Sequence, residues 1–378
     1  MQGAPGRQRY DPARDPAIAA FVDREFSPFA EIRSSELAEM ARTCRPEDRI
    51  AFIQIGSQGV SCLNADQLHP PRTLPTFLAM FQLVAARFPL PRVRFALNLL
   101  DEARVLVAPE RDLRRVPEGT EYLDLVRRQG ARPDAARHPA IFAPMPHALF
   151  HRPVPIFSVS KIPGLHQDIL LPTINALQFA LRPWWDSGTW ATRQPRLYWR
   201  GSTTGGMLSL DSWRRFPRVQ LVTAARRCRH CDMGISAVIQ GDTATQQAIR
   251  ATMEAEGLWS PREPFERNFA YRYLYDIEGN SFSSRLPQFL ASNSVVCKVA
   301  PLWEEYYYYW LRPWEHYVPM DPDFLDLDAR VEFCESRPDA MLAIARASTA
   351  LVRRTLSVDF LAAVVAALLW RYRALCVS

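Results

Sequence analysis

The chain has 378 residues, more than twice the roughly 150 of a common domain, so a single small module is excluded and two domains around a cleft are expected. Apolar residues make up 48% and charged residues 23%, with 31 prolines against 15 glycines, which excludes a disordered chain and points to a folded body with many fixed turns. The formal charge is +6, and all but two of the 46 Lys and Arg are arginine (the exceptions are Lys161 and Lys298); they are scattered among acids rather than gathered into a basic stripe with exposed aromatics, so no nucleic-acid groove is expected.

In chain order, residues 34–42 carry helical patterning, 50–55 read as a strand ending at Gly56, and 76–88 fit a helix. Residues 92–100 (RVRFALNLL) form an apolar strand that stops at Asp101 and Glu102. Residues 109–153, rich in Pro, Arg and His, read as loop with short helices; 154–160 read as a strand and 182–196 as a linker. A second series starts with a strand at 197–200 that runs into Gly201-Ser202-Thr203-Thr204-Gly205-Gly206. Further strands are expected at 219–223, 269–275 and 294–299, the middle one closed by the turn Glu278-Gly279-Asn280. Ser283 or Ser284 is expected to cap a helix reaching about 291, with Pro287 in its first turn. Helices over 338–355 and 357–376 close the chain. Two separated blocks of alternating strands and helices predict an α/β fold with parallel sheets.

Seven cysteines are odd in number and too sparse for a disulfide-built fold. One or two bridges remain possible; Cys228 and Cys231 have the CxxC spacing of a redox pair or half a zinc site, but no second such pair or suitably spaced His pair follows, so two surface or partly buried thiols are expected there. The most apolar run, 360–370, has the length of a buried helix, and a signal or membrane anchor would have to precede Met1 in a longer precursor.

Ligands in open parallel sheets lie beyond the carboxyl ends of the strands, where three features fall. Asp101 and Glu102 either supply a general base or cap the next helix. Arg200, Gly201, Ser202 and the two glycines that follow suit a phosphate, although they match neither a Walker loop nor GxGxxG, and a plain strand-to-helix turn is the rival. Gly279, Asn280, Ser281, Phe282, Ser283, Ser284 and Arg285 place hydroxyls and a cation at a helix start. Serine capping accounts for the hydroxyls, but a cation there opposes the helix dipole unless an anion sits beside it.

These segments resemble glycosyltransferase family 90, the protein O-glucosyltransferase and capsule-associated xylosyltransferase family with its CAP10-like domain. The resemblance rests on ordered blocks: LNLLDEARV (97–105), PIFSVSKIPGLHQDILLP (155–172), LYWRGSTTGG (197–206), YRYLYDIEGNSFSSRLPQFLASNSVVCKV (271–299) and LRPWEHYVPMDPDFLDL (311–327). It implies a GT-B fold of two Rossmann-like domains facing across a cleft, with the C-terminal helices packing back on the N-terminal domain. The matching division is 1–181 for the acceptor side, 182–196 for the linker, 197–350 for the UDP-sugar side and 351–378 for a closing helix. The implied activity moves glucose or xylose from UDP-glucose or UDP-xylose to a hydroxyl of a protein or glycan acceptor, with inversion and without a metal. By position, Asp101 matches the base, Ser202 and 279–285 match nucleotide-sugar contacts, and Arg200 shares the first loop; Glu102 and His166 are weaker acceptor-side candidates. The resemblance further implies the ER or Golgi lumen. The animal relatives carry another arginine shortly after the Arg-Gly-Ser loop where this chain has Gly206-Met207-Leu208, which keeps open a catalytically silent relative that binds a glycan or partner.

Overall fold

The computed structural model describes residues 15–68, 73–101, 103–105, 154–163, 166–205 and 208–377 in an α/β fold with two five-stranded sheets. The N-terminal half opens with α1 (Pro16–Phe26). The Asp15 carboxylate accepts the N–H groups of Ala17 and Ile18, Pro16 sits where no N–H is needed, and Ile18, Phe21, Val22 and Phe26 form the buried stripe. Next come β1 (Ile32–Arg33), α2 (Ser34–Thr43), β2 (Ile50–Gly56), β3 (Gly59–Cys62), α3 (Leu74–Arg87), β4 (Val93–Asn98), β5 (Ile156–Ser158), β6 (Ile169–Leu170) and α4 (Ile174–Leu181). The sheet order is β3-β2-β4-β5-β6; β4, β5 and β6 are parallel, while β2 is antiparallel to both its neighbours. The parallel pattern expected from sequence therefore holds only past β4, because a two-residue hairpin followed by Gly59 at φ +98° folds β3 straight back on β2.

The C-terminal half contains β7 (Gln194–Ser202), α5 (Pro217–Ala225), β8 (Cys231–Ala237), α6 (Thr243–Ala255), β9 (Tyr271–Asp276), α7 (Leu286–Leu290), β10 (Val295–Lys298) and β11 (Val318–Pro319). Its sheet, β11-β10-β9-β7-β8, is parallel throughout. The chain lays β8 on one side of β7 and then crosses to put β9 on the other, so the winding reverses between β7 and β9. Such a reversal opens a crevice at the carboxyl ends of the two strands, and it sets the loops after β7 and β9 side by side.

Strand alternation divides the interior. Leu197, Trp199, Tyr273, Tyr275 and Val295 face one core, whereas Tyr198, Leu274 and Val296 face a second core shared with α1, α3 and the N-terminal sheet. The chain closes with α8 (Leu327–Glu335), α9 (Pro338–Thr355), α10 (Val358–Leu375) and β12 (Cys376–Val377). Met341 and Ile344 of α9 enter the first of these cores, and Leu351 and Val352 the second. α10 packs on α1, α3 and α4, and β12 pairs with β1, so the C-terminus returns to the N-terminal half.

Several local expectations need correction. The β-branched run at 219–223 lies in α5, where Pro217 starts a helix that buries Val219, Leu221 and Val222. The strand of that region is β8, which begins at Cys231 of the CxxC pair, and Cys228 and Cys231 form a disulfide instead of free thiols. Neither Ser283 nor Ser284 caps α7: its N-cap is Arg285, without a side-chain capping bond. Residues 182–196 include a 3₁₀ turn at Trp190–Thr192, and β7 already starts at Gln194. The segment 109–153 lies outside the described residues.

Candidate active site

On the N-terminal side, β4 ends at Asn98, and a chain of polar groups holds the backbone of Leu100, Asp101, Arg104 and Val105. Asn98 accepts the Leu100 N–H at 3.0 Å and donates to Ser158 Oγ at 3.1 Å; Ser158 Oγ donates to Asp168 Oδ1 at 2.5 Å. The fully buried Asp168 carboxylate then accepts the N–H groups of Arg104 and Val105, each at 2.9 Å. Ser160 Oγ donates to the Asp101 carbonyl. The backbone on both sides of Asp101 is thus tied to β5 and to the stretch entering β6. Asp101 lines a cavity of about 220 Å³ with Phe77, Leu99, Leu100, Val159, Asn175 and, from the C-terminal half, Phe282. Although the residue remains open to solvent at the rim, desolvation of its carboxyl by these largely apolar walls raises its pKa above the usual aspartate value.

On the C-terminal side the two loops lock together. Gly205, at φ +140°, donates its N–H to Asn280 Oδ1 at 3.0 Å. A Cβ on Gly279 would stand 2.8 Å from Thr204 Oγ1 and 3.1 Å from Arg218 Nη2, so only glycine permits this approach. Arg285 donates to the Arg200 carbonyl at 2.6 Å and lies over the Trp199 ring, 5.6 Å from its centroid. Burial pulls the Arg285 pKa down, with Asp276 opposing. Buried donors without a hydrogen-bond partner collect here: Trp199 Nε1, Thr204 Oγ1 and Ser283 Oγ. A desolvated cation with orphaned donors is an environment for an anion.

The guanidinium of Arg200 lies elsewhere. Strand alternation puts it on the Tyr198 face, where it pairs with Asp232 at 2.5 Å and Glu263 at 3.5 Å and covers the Tyr198 ring. What Arg200 offers the crevice is its carbonyl. Gly201 accommodates the Trp199 ring, which a Cβ would meet at 2.5 Å. Ser202 ends β7 and Ser281 is buried, while Ser284 is exposed. His166 accepts the Ile162 N–H at 3.1 Å and stacks on Trp303; it does not line the Asp101 cavity. Glu102 and Gly206 lie outside the described residues.

Motif reading misses the polar floor of the crevice. Lys298, at the end of β10, pairs with Asp276, at the end of β9, at 2.7 Å, and both are buried. Burial pushes the Glu278 carboxyl up to about 7, against the pull of Lys298. Arg218 of α5 donates to the carbonyls of Glu278 at 2.8 Å, Ser202 at 3.2 Å and Ile277 at 3.2 Å. A signal for Lys298 exists: both lysines of this arginine-rich chain are buried ion-pair partners, Lys161 meeting Glu25 at 2.7 Å. Among the described residues no three His, Cys, Asp or Glu converge as metal ligands would.

The sequence model of glycosyl transferase family 90 matches residues 148–378. Among curated proteins, protein O-glucosyltransferase 2 of Danio rerio is 33% identical over 91 residues, covering 24% of this chain and 18% of the relative. Human protein O-glucosyltransferase 1 is 22% identical over 227 residues, covering 54% of this chain and 53% of its own length. The aligned part therefore spans about half of that relative and less of the first. Among solved structures, Anabaena HepE in complex with UDP-glucose aligns over 44% of this chain with a TM-score of 0.32 and 11% identity.

Proposed function

The chain belongs to glycosyl transferase family 90, and from that premise we propose that it transfers glucose or xylose from a UDP-sugar to a hydroxyl of a protein or glycan, inverting the anomeric carbon. The observation that carries this reading is the shared cavity: Asp101, at the end of the N-terminal sheet, and Phe282, in the loop after β9, face the same space. In this reading the donor and the base come from opposite halves.

In this reading Asp101 takes the proton of the acceptor hydroxyl as that oxygen attacks the sugar carbon from the face opposite the diphosphate. The raised pKa of Asp101 makes it the stronger base. As the glycosidic bond to UDP breaks, positive charge grows on the ring and negative charge on the leaving diphosphate. Arg285, Ser202 and the backbone and hydroxyl donors of 279–284 stabilise the leaving group, the role a divalent metal fills in other transferases. The division at 182–196 assigns 1–181 to the acceptor, 197–350 to the donor and 351–378 to closure of the fold. The Cys228–Cys231 disulfide supports work in an oxidising compartment such as the ER or Golgi lumen. No helix among the described residues is long and apolar enough to cross a membrane.

The test is UDP release from a panel of UDP-sugars, with and without a chelator, followed by NMR assignment of the product anomer. Release from UDP-glucose or UDP-xylose that survives chelation, with an inverted product, is the expected result. A folded sample that binds no UDP in calorimetry would support the silent-relative reading instead.

A further inference from the structure

A second cavity, of about 500 Å³, opens at the other end of the N-terminal sheet from Asp101. Val93, the first residue of β4, lines it, whereas Asp101 lies past the last; the strand alone spans roughly 16 Å at about 3.3 Å per residue, and the two cavities share no residue. Its walls come from three places. Gln54, Ser57 and Ser61 belong to the hairpin of β2 and β3, Arg92 and Arg94 flank Val93, and Arg373 comes from the end of α10. Register puts Ser61, Gln54 and Arg94 in one row, since Gln54 stands opposite both of the others.

The charge here is unbalanced. Arg94 is the one exposed residue of β4; its Nε donates to Gln54 Oε1 at 2.7 Å, and its two terminal nitrogens have no partner among the described residues. Arg92 and Arg373 are exposed, neither side chain makes a hydrogen bond or ion pair among the described residues, and no carboxylate lines the cavity. Other exposed arginines do meet acids: Arg214 pairs with Glu256 at 2.6 Å, Arg229 with Glu332 at 2.7 Å and Arg250 with Glu254 at 2.9 Å. The arginine-rich composition alone therefore does not account for three unpaired guanidinium groups around one space. Guanidinium forks match the paired oxygens of a phosphate or a carboxylate. The rest of the lining narrows the ligand further. The amide of Gln54 and the hydroxyls of Ser57 and Ser61 both donate and accept, as sugar hydroxyls require, and no aromatic ring is present for a base to stack on. The volume falls in the range of small-molecule sites, roughly 300–1,000 Å³.

We propose that this cavity is a second ligand site, which binds a sugar carrying a phosphate or a carboxylate. Arg92, Arg94 and Arg373 hold the acidic group, and the row of Gln54 and Ser61 meets the hydroxyls. The site is independent of the UDP-sugar reading, because it lies at the opposite end of β4 from Asp101 and shares no residue with the loops after β7 and β9.

Calorimetry of the full chain at fixed ionic strength with glucose 6-phosphate, glucuronate and glucose tests it, alongside a thermal melt of each variant. Wild type is expected to bind at least one of the two acids, and the tighter one identifies the acidic group as phosphate or carboxylate. Glucose should bind at least about tenfold more weakly, the scale of one charge-assisted contact. Arg94→Gln and Arg373→Gln are each expected to weaken the preferred acid by at least about tenfold with unchanged melting temperature, since both side chains are exposed. Arg94→Lys, which keeps the charge and loses the fork, is expected to fall between wild type and Arg94→Gln. Arg285→Gln, in the crevice, should leave acid binding as it is. Wild type that binds neither acid, or that binds glucose equally well, would overturn the proposal. So would Arg94→Gln and Arg373→Gln variants that bind like wild type, and so would a loss of acid binding in Arg285→Gln, which would move the acid to the crevice.

Discussion

The two sides of the crevice are built by different means. Around Asp101 the chain is held mostly by side chains far away in sequence: Ser158, Ser160 and Asp168, together with the nearby Asn98, pass hydrogen bonds from one strand end to the next. Around the loops after β7 and β9 the backbone itself makes the contact, through Gly205 and Gly279 and the carbonyls that Arg218 and Arg285 grip. The first arrangement fixes the backbone that carries one carboxyl beside apolar walls, which suits the proposed base. The second brings two guanidinium groups to the Trp199 ring beside loops with buried, unpartnered hydroxyls, which suits a spread negative charge. A base needs one oriented atom; a diphosphate needs many donors at once.

The comparison breaks most visibly at Asp101. Asp101→Asn is expected to lower turnover by about 10²–10⁴ while leaving UDP affinity and melting temperature unchanged. The acid limb of the wild-type kcat/KM profile should lie above the ordinary aspartate range, since desolvation raises this pKa and activity is lost as pH falls through it. A variant that also loses UDP binding would show that the two sides do not divide the work. Arg285→Gln is the opposite cut: a loss of about 10²–10³ in turnover, with weaker UDP binding, is expected from removing one donor to the leaving group. Unchanged UDP affinity would move the diphosphate away from 279–285.

Smaller effects separate scaffold from chemistry. Asp168→Ala strips the partners of the Arg104 and Val105 N–H groups and of Ser158, at a cost of about 1–3 kcal/mol for each group left buried and unsatisfied. Turnover should fall because Asp101 is held less firmly, with UDP affinity intact. Gly279→Ala does the reverse. Its Cβ meets Thr204 and Arg218, so about 1–3 kcal/mol of overpacking and a weaker grip on UDP are expected from titration and thermal melts, with the Asp101 acid limb unmoved.

Much of the donor side is legible in the sequence because glycine and hydroxyl clusters are local signals. Gly201–Gly206 and Gly279–Arg285 stand out in a chain with few glycines, and the parallel sheet brings their loops together. Arg285 stands out as a cation at a helix start, and the structure puts it among orphaned donors. Arg200 misleads through a detail that a motif does not carry: parity along β7 sends its side chain to Asp232, on the other face. Arg218 leaves no motif at all, because it follows Pro217 in a run whose valines and threonine read as a strand, and its role depends on tertiary carbonyls. The network under Asp101 is equally hidden, since Asp168 acts on residues more than sixty positions earlier.

A last and smallest effect concerns the seam between the two sides. Glu305 accepts Thr173 Oγ1, the N-cap of α4, at 2.7 Å and the Tyr307 hydroxyl at 3.2 Å, so one buried carboxyl joins the wall of the Asp101 cavity to the C-terminal half. Burial pushes its pKa up to about 8. In the unfolded chain a glutamate gives up its proton near 4.3, roughly the model-peptide value. Between those values the folded state keeps a proton that the unfolded state has shed, so stability is greatest below the unfolded pKa, falls as pH rises, and levels off above about 8. Glu278 adds a decline of the same sign that ends at about 7. Above the range in which Glu278 titrates, Glu305 is the one of the two that still contributes a slope, at most about 1.4 kcal/mol per pH unit. Urea melts across pH 5 to 9 should show a steeper decline for wild type than for Glu305→Gln up to about 8, and above the range of Glu278 only wild type should still slope. An equal slope in both would mean that Glu305 is ionised in the fold, and that the seam is an anion held between the two halves and not a neutral hydrogen-bonding group.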